Sequence, residues 1–315
     1  MHPAYSVISF TTASGAGYGL LTWVAVATLA RTAPNDWRFG LISLGLAFLL
    51  ITGGLLSSTA HLGRPERAWR AMSQWRSSWL SREGVLAIAT YVPAGLFGIS
   101  WVFFETTGGF ISLLALLAAL LAIATVYSTG MIYASLPTIK AWHQPWTVPV
   151  YIALALASGG VLYLLIASFF DGANSWPLLL NVLVLAAAFA IKRFYWQTLD
   201  ADHALPMRYA ATGLEHLGRI RQIEPPHTQE NFVMREMGYS IARKHAEKLR
   251  RLAMALMFAA PALCLVLMMV TGGFASTLLA LIATAAMGVG LFTERWLFFA
   301  EARHISMVYY GQQAA

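Results

Sequence analysis

The stretch His61-Leu-Gly-Arg-Pro-Glu-Arg-Ala-Trp-Arg-Ala-Met-Ser-Gln-Trp-Arg-Ser-Ser-Trp-Leu-Ser-Arg-Glu-Gly84 lies between two apolar segments and decides how the chain reads. It holds five arginines, three tryptophans, two glutamates and a histidine, while its flanks carry almost no charge. Arginines gathered on one side of apolar segments, with tryptophans at headgroup level, mark the edge of a bundle that crosses lipid. The whole chain agrees: of its 315 residues 58% are hydrophobic and 11% charged, with a mean hydropathy of +0.62. A soluble domain carries about 25% charged residues.

A membrane span needs about 20 mainly apolar residues. Eight segments meet that length: Ser6–Ala30, Arg38–Ala60, Gly84–Phe104, Phe110–Leu136, Thr147–Phe170, Trp176–Ile191, Leu252–Thr271 and Phe274–Phe299. Each should be a helix, because backbone in lipid must satisfy its own hydrogen bonds and the alternation of barrel strands is missing. The expected fold class is therefore an all-α integral membrane protein of eight transmembrane helices, one domain over 1–315, with short interfacial helices. The small-residue runs Ser14-Gly-Ala-Gly17 and Ser158-Gly-Gly160 mark close helix packing. Pro93 and Pro261 should kink their helices. The turns at 107–110 and 271–274 both read Thr-Gly-Gly-Phe, four spans apart, so a duplicated four-helix unit is conceivable.

Eight spans put both termini on one side. That side receives 19 of the 21 lysines and arginines, leaving Arg31 and Arg38 opposite. The excess of Lys and Arg in cytoplasmic loops places it, with both termini, in the cytoplasm. No basic leader with a small-residue cleavage site is visible after Met1, so the first segment should remain as a span. Residues 192–251 form the longest connection, on the basic face, too short for a catalytic domain with a large core. Pro225-Pro226 breaks it, Thr228 could cap a following helix, and Arg243, Glu247 and Arg251 recur at four-residue steps along one face.

Composition narrows the chemistry. Cys264 is the only cysteine, so neither an intramolecular disulfide nor a thiolate-held iron–sulfur cluster can be built here. None of the eight histidines falls mid-span, which argues against haem b; His61, His143 and His304 only border helices. Ionisable residues inside the spans reduce to Glu294 and Arg295, adjacent and hence about 100° apart on a helix. An ion pair to a neighbouring helix, or Arg295 snorkelling to the surface, explains them more simply than a proton pathway. A transporter would need a longer polar path than Glu294, Asn181 and scattered hydroxyls supply.

The opening stretch keeps the functional residues. Gly63-Arg64-Pro65 turns the backbone, and Pro65 suits the first position of a short helix along which Trp69 and Met72 face the interface. Ser81 should cap the third span with Glu83 in its first turn. Taken singly, each residue has an ordinary structural role as belt, topology signal or cap. As a group, His61 closes one span and Glu83 opens the next, so the excursion can return both to one depth. A histidine and a carboxyl there could bond a quinone carbonyl or quinol hydroxyl and exchange its protons.

These residues resemble the membrane anchor family of dimethyl sulfoxide reductase, which includes related anchors of sulfite-oxidising molybdoenzymes. The match is carried by Met1–Thr12, Ser14–Leu21, His61–Ala71 and Ser73–Glu83, and the length and eight-span layout fit throughout. The resemblance implies a subunit in a bacterial inner membrane, without metal or haem of its own. It would anchor a molybdopterin catalytic subunit and a four-cluster iron–sulfur subunit, with no nucleic-acid partner. It would exchange electrons with menaquinone or ubiquinone. His61 and Glu83 match residues associated with quinone binding, and Gly63, Arg64 and Arg67 lie in the same motif. Arg70, Arg76 and Arg82 would belong to a basic face that docks the iron–sulfur subunit. The direction of flow stays open: quinol oxidation in a terminal reductase, or quinone reduction in a sulfite dehydrogenase. A haem-b anchor and a small-molecule transporter are the alternatives.

Overall fold

The computed structural model describes residues 3–60, 62–170, 175–201 and 245–310, with single residues and short pieces between 213 and 234. Those residues form helices and turns, and no strand occurs among them. The long helices are α1 (Tyr5–Leu29), α2 (Trp37–Thr59), α3 (Trp79–Phe104), α4 (Phe110–Ala134), α5 (Thr147–Ser168), α6 (Ser175–Ala201), α7 (Ala246–Met268) and α8 (Gly273–Ala300). A short helix, α9 (Ser306–Tyr309), follows. His61, Pro225, Pro226, Thr228 and Arg243 lie outside the described residues.

Seven helices, α2 to α8, are long and apolar enough to cross a membrane. The sequence expectation was eight. α1 has the length, with 25 residues, but threonines, serines, glycines and Tyr18 dilute its apolar character. Its surroundings explain the difference, since α1 packs against α2, α4, α5 and α8 and buries most of its length in protein. A helix enclosed by protein has no need of an all-apolar surface.

α1 and α5 form the centre. In α5, 78% of the apolar window is buried inside the protein, against 33–39% in the other six helices. α2 and the α3–α4 pair flank one side of α1, while α6, α7 and α8 close around α5. Outward-facing Leu49, Leu56, Val92, Leu120, Leu183 and Leu263 are each more than half exposed. Water would penalise such a belt and lipid would not.

The two central helices touch backbone to backbone. A Cβ on Gly19 would stand 1.8 Å from the Ala155 oxygen, and one on Gly159 would stand 2.1 Å from the Gly19 carbonyl carbon. Only glycine at both places allows this crossing. In α7 a π-helical turn at Ala255–Ala259 precedes Pro261. The proline has no N–H to give and its ring crowds the preceding turn, which the wider turn relieves. The two Thr-Gly-Gly-Phe turns share a backbone feature: Gly109 (φ +60°) and Gly273 (φ +55°) both sit in the left-handed region, each at the start of a long helix.

Helix ends differ from the expected span ends where charges occur. α6 continues past Ile191 to Ala201 and carries Lys192 into the bundle, and α7 starts at Ala246, ahead of Leu252. Arg250 joins these ends. Its Nε and Nη2 donate to Glu301 Oε1 and Oε2 at 2.8 and 3.0 Å, and its Nη1 reaches both oxygens of Asp200 at 2.9 Å. Burial pushes the Glu301 carboxyl above its ordinary range, against the downward pull of its Arg250 hydrogen bonds. On the surface of α7, Arg251 pairs with Glu247 at 3.1 Å, the four-residue spacing expected from the sequence.

Candidate functional site

The excursion after α2 folds as a short 3-10 helix, Pro65–Gln74, with Pro65 at its start as the sequence suggested. Most of it is exposed, including Gly63, Arg64, Arg67, Trp69 and Arg70; Ala68 and Met72 turn partly inward. Met72 Cγ would lie 3.6 Å from a Cβ on Gly84, so the segment rests on the first turns of α3.

Arg82 closes this segment. Its Nε donates to the Trp75 carbonyl at 3.0 Å and its Nη2 to the Arg76 carbonyl at 2.7 Å, with the guanidinium 4.2 Å over the Trp79 ring. Held in this way, the backbone enters α3 earlier than expected. Ser78, not Ser81, caps the helix, accepting from the Ser81 N–H at 3.4 Å. Ser81 is buried instead, and Glu83 stands beyond the first turn, within the bundle. Arg70 and Arg76 lie over the rings of Trp69 and Trp75, each at 5.6 Å, and remain on the outer surface.

Among the described members of the expected set Glu83 is the buried one, 4% exposed. Thr129 of α4 donates its hydroxyl to Glu83 Oε1 and also approaches the Thr125 carbonyl at 3.1 Å. Tyr18 of α1 lies within electrostatic reach of Glu83 and within hydrogen-bond reach of Thr125 of α4. Further along the same face, Tyr91 shares a 2.6 Å hydrogen bond with Thr52 of α2 and stacks on Phe48. Among the described residues no Lys, Arg or His forms an ion pair with Glu83, and no hydrogen bond joins it to Gly63, Arg64 or Arg67. A buried carboxyl with a hydroxyl donor is suited to taking up and releasing a proton.

A second buried cluster joins α6 to α8. Glu294 receives Lys192 of α6 on Oε1, and Arg295 Nε on Oε2 at 2.6 Å. Of the two simple explanations for these residues, the ion pair to another helix is the one found, and Arg295 does not snorkel: it is 2% exposed. The two neighbours do pair with each other, because Arg295 bends back along α8 to lie 4.1 Å over the Tyr151 ring. Lys192 sits over Tyr195 and Trp196 at 4.0 and 4.5 Å. Tyr133 stacks on Tyr151 at 5.6 Å, and this pair lies within electrostatic reach of both Glu83 and Arg295.

Sequence reasoning found Glu83, Glu294 and Arg295 but missed Thr129 and Lys192. A threonine in an apolar helix bonds its own backbone so often that it gives no signal. Lys192 had one: Phe194, Tyr195, Trp196 and Leu199 continue the apolar pattern of α6 beyond it. Among the described residues no group of three or more His, Cys, Asp or Glu side chains is arranged to hold a metal. His143 Nδ1 lies 2.6 Å from the Ala134 carbonyl and His304 Nδ1 2.8 Å from Ser306 Oγ.

Known proteins supply the context. Over its full length the sequence is 33% identical to the C component of the sulfite dehydrogenase of Allochromatium vinosum, with all of both proteins covered. It is 25% identical to the C component of the anaerobic dimethyl sulfoxide reductase of Escherichia coli, over 52% of this protein and 58% of that one. To the anaerobic dimethyl sulfoxide reductase component YnfH of the same bacterium it is 28% identical, over 41% and 46%. The family model described as DMSO reductase anchor subunit (DmsC) matches residues 1–301. With seven helices of membrane-crossing length and composition, this multi-pass membrane protein belongs to the DMSO reductase anchor subunit family.

Proposed function

We propose that this protein is the quinone-reactive membrane anchor of a molybdopterin and iron–sulfur oxidoreductase in a bacterial inner membrane, and that Glu83 exchanges the quinone's protons. The supporting observation is the carboxyl itself, buried under an arginine- and tryptophan-rich segment with Thr129 as its hydroxyl donor. Reducing a quinone takes two electrons, supplied here by the iron–sulfur partner, and two protons, which need a titrating group within hydrogen-bond reach of the ring oxygens. His61, four residues before Pro65 in the same connection, is the second proton-exchanging group of this reading. Gly63, Arg64 and Arg67 form the mouth of the site on the surface. α1 serves as an eighth span, which returns both termini to the basic face. The cofactor is menaquinone or ubiquinone, and the molybdopterin and iron–sulfur clusters reside in the partners.

Replacing Glu83 with Gln should lower quinone-linked turnover by about 100-fold or more, the usual contribution of a positioned acid–base group. Activity with an artificial dye, which bypasses the anchor, should persist in the same membranes. Full quinone turnover in both Glu83→Gln and His61→Ala would remove the site assignment. Likeness along its entire length to a sulfite dehydrogenase component, against about half for one of dimethyl sulfoxide reductase, favours quinone reduction as the working direction. Purified complex should then pass electrons from sulfite to a quinone faster than from a quinol to dimethyl sulfoxide; the opposite ratio would reverse the assignment.

A further inference from the structure

Between α1, α4, α5 and α8 lies a cavity of about 20 Å³, lined by Thr12, Ser14, Thr129, Tyr151, Ser158 and Arg295 among others. One water needs roughly 10–15 Å³ of such space and two to four polar partners. The partners are present. Arg295 is 2% exposed and keeps Nη1 and Nη2 donors beyond its hydrogen bond with the Tyr151 hydroxyl, and the Thr12 hydroxyl has no hydrogen-bond partner. A guanidinium buried with idle donors is destabilising, and a water in this cavity satisfies it.

The same cavity reaches Thr129, the hydroxyl that donates to Glu83. A threonine that donates its proton to a carboxylate keeps lone pairs free to accept another bond. The Lys192–Glu294–Arg295 cluster holds two cationic side chains against one carboxylate, so it has a formal surplus of one positive charge. Glu301 lies within electrostatic reach of Lys192, and the Tyr133–Tyr151 pair lies within reach of both Arg295 and Glu83.

We propose that the cavity holds one water, that Arg295 donates to this water, the water to Thr129 and Thr129 to Glu83, and that Arg295 thereby acts as a positioning residue for Glu83. The row of donors points one way, toward the carboxylate. Each bond in such a row polarises the next. Its effect is greatest when Glu83 has given its proton to the quinone and carries a charge, so it lowers the barrier to that step more than it aids quinone binding. The proposal rests on the quinone reading above for its catalytic part, but the water and its bonds do not.

The test uses the complete complex in lipid nanodiscs. Arg295→Gln should lower quinone-linked kcat by about 10- to 100-fold, the range for residues that orient a reacting group, with KM for quinone unchanged and dye activity retained. Arg295→Lys, which keeps a charge and donors, should recover part of the loss. Gly15→Ala is the steric test: Gly15 lines the cavity, and a Cβ there would meet only Ala155 Cβ at 4.0 Å, so the methyl takes up the water's space without a clash. It should lower kcat as Arg295→Gln does. In infrared difference spectra, an O–H band shifted by H₂¹⁸O should be present in the parent and absent from Gly15→Ala. A band unchanged in Gly15→Ala, or a band lost with kcat intact, overturns the proposal. If Arg295→Gln does not assemble, Gly15→Ala and Arg295→Lys decide. Undiminished turnover in Glu83→Gln would remove the quinone reading alone, because the water band is read without quinone.

Discussion

A methyl group on Gly159 would lie within bonding distance of the α1 backbone, and no rotamer change can relieve that, because the atoms it meets are main chain. Gly159→Ala must therefore push α1 and α5 apart, at a cost of about 3 kcal/mol or more, the upper end for overpacked cores. Gly53→Ala, on a helix position with nothing within 4 Å, is the control. The detergent-solubilised complex should lose thermal stability in the first variant and keep it in the second; equal melting would disprove the backbone contact. The glycine runs themselves were legible in the sequence as packing signals. Their partners were not: Gly17 admits Ile51 of α2, Gly19 admits α5, and Gly160 leaves room for Asn181 and Trp23. Periodicity locates a small residue on a helix without saying which neighbour needs the space. The same limit applies to the site, where Glu83 stood out as a charge in an apolar setting while Thr129 did not.

Helices were legible where apolar runs ended in turn residues, as at Thr107-Gly-Gly-Phe110, and misjudged where they ended in charge. Lys192 looked like the first residue of a loop because charge usually stops a span; here Glu294 on another helix accepts it, and α6 continues. Such pairing is a tertiary fact invisible to a window of sequence. Arg250 has the same character on a larger scale, since one guanidinium fixes the end of α6, the start of α7 and the residue that follows α8. Four directed N–H bonds to two carboxylates need the planar fork of arginine. Arg250→Lys should accordingly behave almost as Arg250→Ala, each losing about 2 kcal/mol from these charge-assisted bonds. Hydrogen exchange at Ala246–Met254 should rise in both variants; protection kept by the lysine variant would mean that charge alone suffices.

If α1 is an eighth span, as proposed above, 19 of the 21 basic residues fall on one side of the membrane. Arg70 and Arg76 lie on that outer surface, while Arg82 turns its guanidinium to the Trp75 and Arg76 carbonyls. Docking of an acidic partner should thus depend on the first two and depend on Arg82 only through the shape of the segment. Reversing both to Glu should weaken retention of the iron–sulfur subunit by about tenfold or more, since like charges across an interface cost several kcal/mol. The loss should deepen as salt is lowered, and equal retention at every salt concentration would count against this face.

The enclosure of α1 by α2, α4, α5 and α8 also sets an order of events during synthesis. The helix made first is the one of the eight without a stretch apolar enough to cross a membrane by composition, yet two of its walls, α5 and α8, are made more than a hundred residues later. Until they arrive, the side of α1 that packs on α5 and α8 is uncovered, and the cavity that opens on Arg295 lacks two of its four sides. The bundle therefore closes last at the place where its buried polar groups meet, so a protein truncated before α8 would leave that cavity, and the strip of the opening helix beside it, without its last wall.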